Sequence, residues 1–84
     1  MNCPNLIIFV KKSMDTTLIV FGKNIKEHRE QKGYSQEKLA ELADFDRTYI
    51  SLIERGKRNL SLKNICRFAK ALDVKAFELI KNIE

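Results

Sequence analysis

Hydrophobic side chains recur at intervals of three and four residues along most of this chain, which is the spacing of one face of an α-helix. Phe21, Ile25 and His28 share such a face, and no proline follows Pro4. The pattern predicts an all-α chain. Its five helices are expected at about 16–32, 36–43, 47–54, 62–72 and 75–83.

Helix ends are marked by local signals. Gly33 and Gly56 each follow basic residues, as at a helix end with cations in its last turn and glycine in a left-handed cap. Ser35, Asp46 and Ser61 stand where N-caps of the next helices are needed. These signals fix the limits of the central helices better than periodicity alone.

The fourth predicted helix has one apolar face, with Phe68 expected at its border. The members of that face are Leu62, Ile65, Cys66, Ala69 and Leu72. Cys66 is therefore interpreted as a small buried hydrophobe, since free cysteine packs well in cores.

Residues 1–13 differ from the rest and are interpreted as an N-terminal extension, ordered or frayed, before a domain at 14–84. Residues 6–10 form a short apolar run with β-branched and aromatic side chains. A short edge strand that pairs with another copy is the alternative, although an isolated strand of this length has little stability.

The chain has 84 residues, enough for one small domain, and a formal charge of +5 favours a polyanionic partner. Cys3, Cys66 and His28 lack the spacing of a metal site, so neither a metal nor another cofactor is expected. Two cysteines without a secretion signal indicate the cytoplasm, and the apolar run is too short to span a membrane. No catalytic arrangement has plausible spacing, which argues against an enzyme with a small-molecule substrate.

The stretch 35–56 carries the functional signal, because two short helices joined by a tight turn make a helix-turn-helix. Ala40 is small where the helices must approach, and Asp44 tolerates the left-handed backbone that the turn requires. Ile50 and Ile53 would face the core. The residues left facing outward are Arg47, Thr48, Ser51 and Arg55.

Three segments resemble the phage-repressor-like (Cro-type) helix-turn-helix family: QEKLA at 36–40, DRTYIS at 46–51 and IERGKRN at 53–59. Within it the chain is most similar to the controller proteins of restriction-modification systems, which are small dimeric transcription regulators. The resemblance implies a compact five-helix, lambda-repressor-like domain. It also implies a sequence-specific regulator that binds a pseudo-palindromic operator in double-stranded DNA as a homodimer.

The resemblance also implies roles for single residues. Arg47, Thr48 and Ser51 would contact bases from the recognition helix, with Arg47 suited to guanine. The DNA backbone would be contacted by Gln36, Tyr49, Lys57, Arg58 and Asn59. Two departures from the family pattern are Asp44, where glycine is common, and His28, where the core residue is usually apolar.

Arg29 and Glu54 match family positions that form a partly buried ion pair between the first helix and the recognition helix. The alternative is two solvated charges. Phe77 and Ile80 cannot both point inward with the other apolar residues of the last helix, so they are assigned to a dimer interface.

A protein-interaction module, antitoxin-like or coactivator-like, is the alternative function for the same helical fold. Arg47 and the basic pair Lys57 and Arg58 favour DNA. An adaptor would instead need an exposed apolar patch outside the dimer interface. A membrane-surface role for the last helix is disfavoured by its few basic residues.

Overall fold

Five α-helices make up the fold in a computed structural model that describes the backbone of residues 3–83 and the side chains of residues 16–83. No strand occurs within the described backbone. The helices are α1 (Cys3–Gln31), α2 (Gln36–Ala43), α3 (Arg47–Glu54), α4 (Leu62–Leu72) and α5 (Ala76–Leu79). The all-α, five-helix expectation is confirmed.

The outermost limits of the helical bundle differ from the prediction. Helix α1 begins at Cys3 instead of near residue 16, so the alternative of an edge strand at 6–10 is wrong. No glycine or proline interrupts the chain between Pro4 and Phe21, and Pro4 lies in the first turn, where its missing N–H has no intrahelical partner to lose. The division into an extension at 1–13 and a domain at 14–84 stays a prediction.

Helix α5 ends at Leu79, four residues before the predicted limit. The Asn24 side chain of α1 donates hydrogen bonds to the carbonyl of Leu79 at 2.9 Å and to that of Lys81 at 2.8 Å. Asn82 then takes a left-handed backbone with φ 68°. The end of α5 is therefore set by α1, a contact that no local signal in α5 reveals.

The predicted caps are formed. Ser35 and Ser61 each accept a hydrogen bond from the third residue of the helix that follows, at 3.0 and 3.2 Å, and Asp46 accepts one from the second residue of α3, Thr48, at 3.1 Å. Asp44 has φ 60° and Gly56 φ 71°, so both take the left-handed conformation expected at these helix ends. Each cap satisfies backbone groups that the end of a helix leaves unpaired.

The core lies where the helices converge. Its buried members include the predicted faces of α1, α2 and α3: Phe21, Ile25, Leu39, Ala40, Ala43, Ile50 and Ile53. His28 is only half-buried at the margin of this core.

The predicted face of α4 is confirmed for Ala69 and Leu72, which are buried, and for Ile65, which packs against the core, but it was wrong for Leu62 and Cys66 and for the border position of Phe68. Phe68 is fully buried at the centre of the inward face, while Leu62 and Cys66 are exposed. The Phe68 ring packs on Phe45, with centroids 4.9 Å apart. Burying this large ring turns α4 so that the small thiol of Cys66 faces solvent instead.

Helices α1 and α3 approach so closely at Gly22 that no larger residue fits without movement. A Cβ atom there would contact the carbonyl oxygen of Ile53 and lie 2.7 Å from that of Glu54. Both obstacles are backbone atoms, which cannot rotate away as a side-chain tip can. The absent side chain therefore fixes the distance between α1 and the end of α3.

We expect Gly22→Ala to lower the free energy of unfolding by about 1–3 kcal/mol, because overpacking outweighs the better helix propensity of alanine. Urea denaturation followed by circular dichroism measures the change. Lys23→Ala, at the exposed neighbouring position, is the control and should stay within about 0.5 kcal/mol of the wild type. A more stable Gly22→Ala protein would contradict the close approach.

Candidate nucleic-acid interface

The residues predicted to read bases lie together on α3. Arg47 and Thr48 are exposed in its first turn, and Ser51, one turn later, is half-buried. Ile50 and Ile53 occupy the opposite, buried side and anchor the helix in the core. The N-terminal half of α3 thus presents a short polar face to solvent.

Arg47 has a partner on α2 that the sequence analysis missed. Its Nε atom lies 3.1 Å from Oε2 of Glu37, and the two side chains are 57% and 68% exposed. The residues are ten positions apart on different helices, so helical spacing gives no signal for the pair. The contact depends on the crossing of α2 and α3.

A buried polar network joins α1, α2 and α3 behind this face. Arg29 Nε donates to Glu54 Oε2 at 2.6 Å and Nη2 donates to Oε1 at 3.1 Å, with the two side chains 11% and 3% exposed. Arg29 Nη1 also donates to the backbone carbonyl of Tyr34 at 2.9 Å. The hydrogen bond to Glu54 raises the pKa of Arg29 above its usual value and outweighs the opposing effect of burial.

Gln36 belongs to the same network. Its Nε2 atom donates to Glu54 Oε1 at 3.1 Å, so the amide nitrogen is already engaged within the protein. The backbone N–H groups in the first turn of α2 are then the natural donors to a phosphate at this position, since the first N–H groups of a helix lack intrahelical acceptors.

Tyr49 packs inward more than the sequence suggested. Its ring centroid lies 4.8 Å from that of Phe45 and 6.3 Å from that of Phe68. Asn64 Nδ2 donates to the Tyr49 hydroxyl at 3.1 Å. Tyr49 therefore ties the recognition helix to α4, and only part of its surface remains for DNA.

The basic loop between α3 and α4 lies beside the recognition helix. Lys57, Arg58 and Asn59 are all exposed. The guanidinium carbon of Arg58 lies 5.4 Å from the centroid of the Tyr49 ring, within range of a cation–π contact. This contact ties Arg58 of the basic loop to the recognition helix.

Arg67, which the sequence analysis did not single out, holds the turn between α2 and α3. Its Nη2 atom donates to the carbonyls of Ala43 at 2.9 Å and Asp44 at 2.6 Å. Its guanidinium also lies 4.0 Å from the centroid of the Phe45 ring. The carboxylate of Asp44 is 3.9 Å from Arg67, so this departure from the family pattern has a cationic neighbour.

The last helix leaves apolar surface open. Phe77 is 58% exposed and Ile80 47% exposed, whereas Leu79 is buried. Ile80 also lines an apolar groove of about 300 Å³ between α1, the α3–α4 loop, α4 and the C-terminal segment. Its other walls are Thr17, Leu18, Phe21, Asn59, Leu60, Ile65 and Ile83.

The described residues include neither a metal site nor a membrane-spanning helix. No three side chains among histidine, cysteine, aspartate and glutamate there are arranged to hold a metal ion. None of the described helices is long and apolar enough to cross a membrane.

Comparison with known proteins identifies the fold family. The sequence profile of the helix-turn-helix family matches residues 25–79, which include both helices of the motif and the basic loop. The chain belongs to this family. Its helix-turn-helix therefore comprises α2, the Asp44 turn and α3.

Two relatives are gene regulators by name. The control protein C.BamHI of Bacillus amyloliquefaciens is 49% identical over 63 residues, which cover 74% of this chain and 78% of that protein. A hypothetical transcription factor of Neisseria meningitidis serogroup B is 44% identical over 61 residues, which cover 73% of this chain but only 58% of that protein.

Two solved structures share the fold. The restriction-modification controller protein C.AhdI of Aeromonas hydrophila has a TM-score of 0.72 and 50% identity, covering 74% of this chain and 94% of its own. The controller C.Esp1396I was solved as a tetramer in complex with its natural 35 base-pair operator and has a TM-score of 0.70 and 42% identity. The match covers 76% of this chain and 88% of the C.Esp1396I chain.

In this helix-turn-helix protein we expect Glu54→Gln to lower the free energy of unfolding by about 3–5 kcal/mol, because it leaves the buried guanidinium of Arg29 without a counter-charge. Thermal and urea denaturation measure the loss. Lys38→Ala, which breaks an exposed ion pair with Glu41, is the control and should cost less than about 1 kcal/mol. Equal losses in the two variants would show that burial of the Arg29 pair is unimportant.

Proposed function

We propose that this chain is a sequence-specific transcriptional regulator that binds a pseudo-palindromic operator in double-stranded DNA as a homodimer. Its narrower role is control of a restriction-modification system, as in the relatives named controllers. The observation that carries the proposal is the polar face of α3, formed by the exposed Arg47 and Thr48 and the half-buried Ser51. Such a protein would act in the cytoplasm without a cofactor.

The face on α3 suits the major groove, which admits one α-helix. Arg47 can donate two hydrogen bonds to the O6 and N7 atoms of guanine, the most common specific contact to a base. Thr48 and Ser51 are short enough to contact neighbouring base edges or a thymine methyl group. These three residues would therefore carry the sequence preference.

Phosphate contacts would come from both sides of this face. The first turn of α2 offers backbone N–H groups and the positive end of a helix dipole. Lys57, Arg58 and Asn59 lie on the other flank, and Arg58 is steadied by its stacking on Tyr49. These contacts set the register of α3 in the groove but do not read sequence.

The second copy would bind through Phe77 and Ile80. A twofold dimer uses the same patch on both copies, so a cluster of exposed apolar residues at one end of the chain is suited to it. A dimer also matches the symmetry of an operator with two half-sites spaced about one helical turn apart. The operator-bound tetramer of C.Esp1396I supports assembly on DNA in general.

We expect Arg47→Ala to weaken binding to the selected operator by about 1–3 kcal/mol and to relax the preference at one base pair in each half-site. Selection of duplexes from a random pool, followed by fluorescence anisotropy, measures both effects. Lys57→Ala is the control. Loss of a phosphate contact should weaken binding to all duplexes alike and reduce the slope of log K against log salt concentration by about one.

Equal losses on specific and random duplexes in Arg47→Ala would show that Arg47 contacts phosphate instead of a base. A wild-type chain that selects no sequence would contradict the DNA-reading function. That result would favour the protein-interaction module as the role of the fold.

For the assembly, we expect Phe77→Asp to convert the dimer to a monomer, because an unpaired charge in an apolar contact costs several kcal/mol. Operator affinity should fall steeply while helical content is kept. Analytical ultracentrifugation and circular dichroism measure the two quantities. Leu42→Asp, the same change at an exposed position on α2, should remain dimeric. A dimeric Phe77→Asp protein would rule out this interface.

A further inference from the structure

We propose that Glu37 is a specificity-determining residue that positions the guanidinium of Arg47 for guanine. The inference rests on the proposed function of α3 and adds a residue of α2 to the reading of bases. Its basis is the contact of 3.1 Å between Arg47 Nε and Glu37 Oε2, at the point where the first turns of α2 and α3 meet.

The atom that Glu37 contacts determines what Arg47 can still do. A guanidinium is a rigid, planar fork with five N–H donors, and Nε supplies only one of them. Because the contact is at Nε, the carboxylate lies on the side edge of the guanidinium, and the outer edge formed by the two terminal Nη groups stays available. Two terminal groups in one plane are the donors that a bidentate contact to guanine requires.

The position of Glu37 also imposes a cost on every duplex. Its carboxylate is exposed in the first turn of α2, the helix end proposed to approach a phosphate. Two negative groups near one another repel, whatever the base sequence. Glu37 is therefore expected to reduce affinity for all duplexes while it increases the preference for a site with guanine opposite Arg47.

Stability does not explain the pair. Both side chains are more than half exposed, and ion pairs at such sites contribute little to folding. The buried pair of Arg29 and Glu54 already fixes the position of the recognition helix. A variant of Glu37 should therefore keep its fold, and its effect should be visible in recognition.

The test compares Glu37→Ala with Glu41→Ala, which removes the same charge from an exposed residue one turn later on α2 that pairs with Lys38. Fluorescence anisotropy gives the dissociation constants for three duplexes: the selected operator, the operator with the guanines replaced, and a random sequence. Both variants should bind the random duplex more tightly than the wild type, because both lose a negative charge.

Only Glu37→Ala should lower the preference for the guanine-containing operator over the replaced one, by about two- to fivefold, the range expected when an exposed ion pair is lost. Glu37→Gln keeps the length of the side chain and an oxygen that can lie against Nε but removes the charge, so it should retain part of the preference. In an Arg47→Ala background, removal of Glu37 should no longer change the preference, because the two residues act through one contact.

A preference that falls equally in Glu37→Ala and Glu41→Ala, or that stays unchanged in both, would overturn the inference and leave Glu37 as one surface charge among others. The same holds if the effect of Glu37→Ala persists without Arg47. A wild-type chain that binds all three duplexes alike would instead overturn the proposed function, and the inference with it.

Discussion

The buried ion pair between Arg29 and Glu54 is the interaction on which the arrangement of the helices depends. One guanidinium holds the last residue of α3 and the backbone just before α2, while Gln36 donates to the same carboxylate. Three helices therefore meet at one polar point beside an apolar core. Burying two charges is expensive and adds little net stability, but a pair with its hydrogen bonds satisfied strongly disfavours any arrangement that separates them. The direction in which α3 leaves the core follows from this constraint.

Two further contacts complete the control of α3. The missing side chain of Gly22 lets α1 lie against the last turn of α3. At the other end of α3, Arg67 holds the connection between α2 and α3. Arg29 and Arg67 are thus structural cations among the 16 lysines and arginines of the chain. The basic composition is therefore weaker evidence for a polyanionic partner than the net charge alone indicates, because Arg29 and Arg67 hold the fold.

The central helices were predictable because their signals are local. Ser35, Asp46 and Ser61 cap helices with their own side chains, and Asp44 takes the left-handed turn because its type tolerates it. The outer limits of α1 and α5 were not predictable in this way, since the end of α5 depends on Asn24, more than fifty residues away. The exposure of Cys66 was missed because Cys66 and Phe68 lie at opposite borders of the apolar face of α4, and only packing decides which border faces inward. The contact between Glu37 and Arg47 likewise needs the crossing of two helices.

The side chains of the candidate interface are held by contacts of different strength. This difference decides which side chains can adjust their position when DNA binds. Gln36 donates to a carboxylate that is almost completely buried, and the Tyr49 ring packs against the rings of Phe45 and Phe68, so releasing either would disturb the core. Among the described residues, Arg47 is held by an exposed ion pair alone, worth about 0–1 kcal/mol, whereas breaking a buried pair costs about 3–5 kcal/mol. The Arg47 side chain can therefore adjust to a base without disturbing the helices that present it. Residues with buried contacts fix the position of α3, whereas the side chain of Arg47 can move to contact a base.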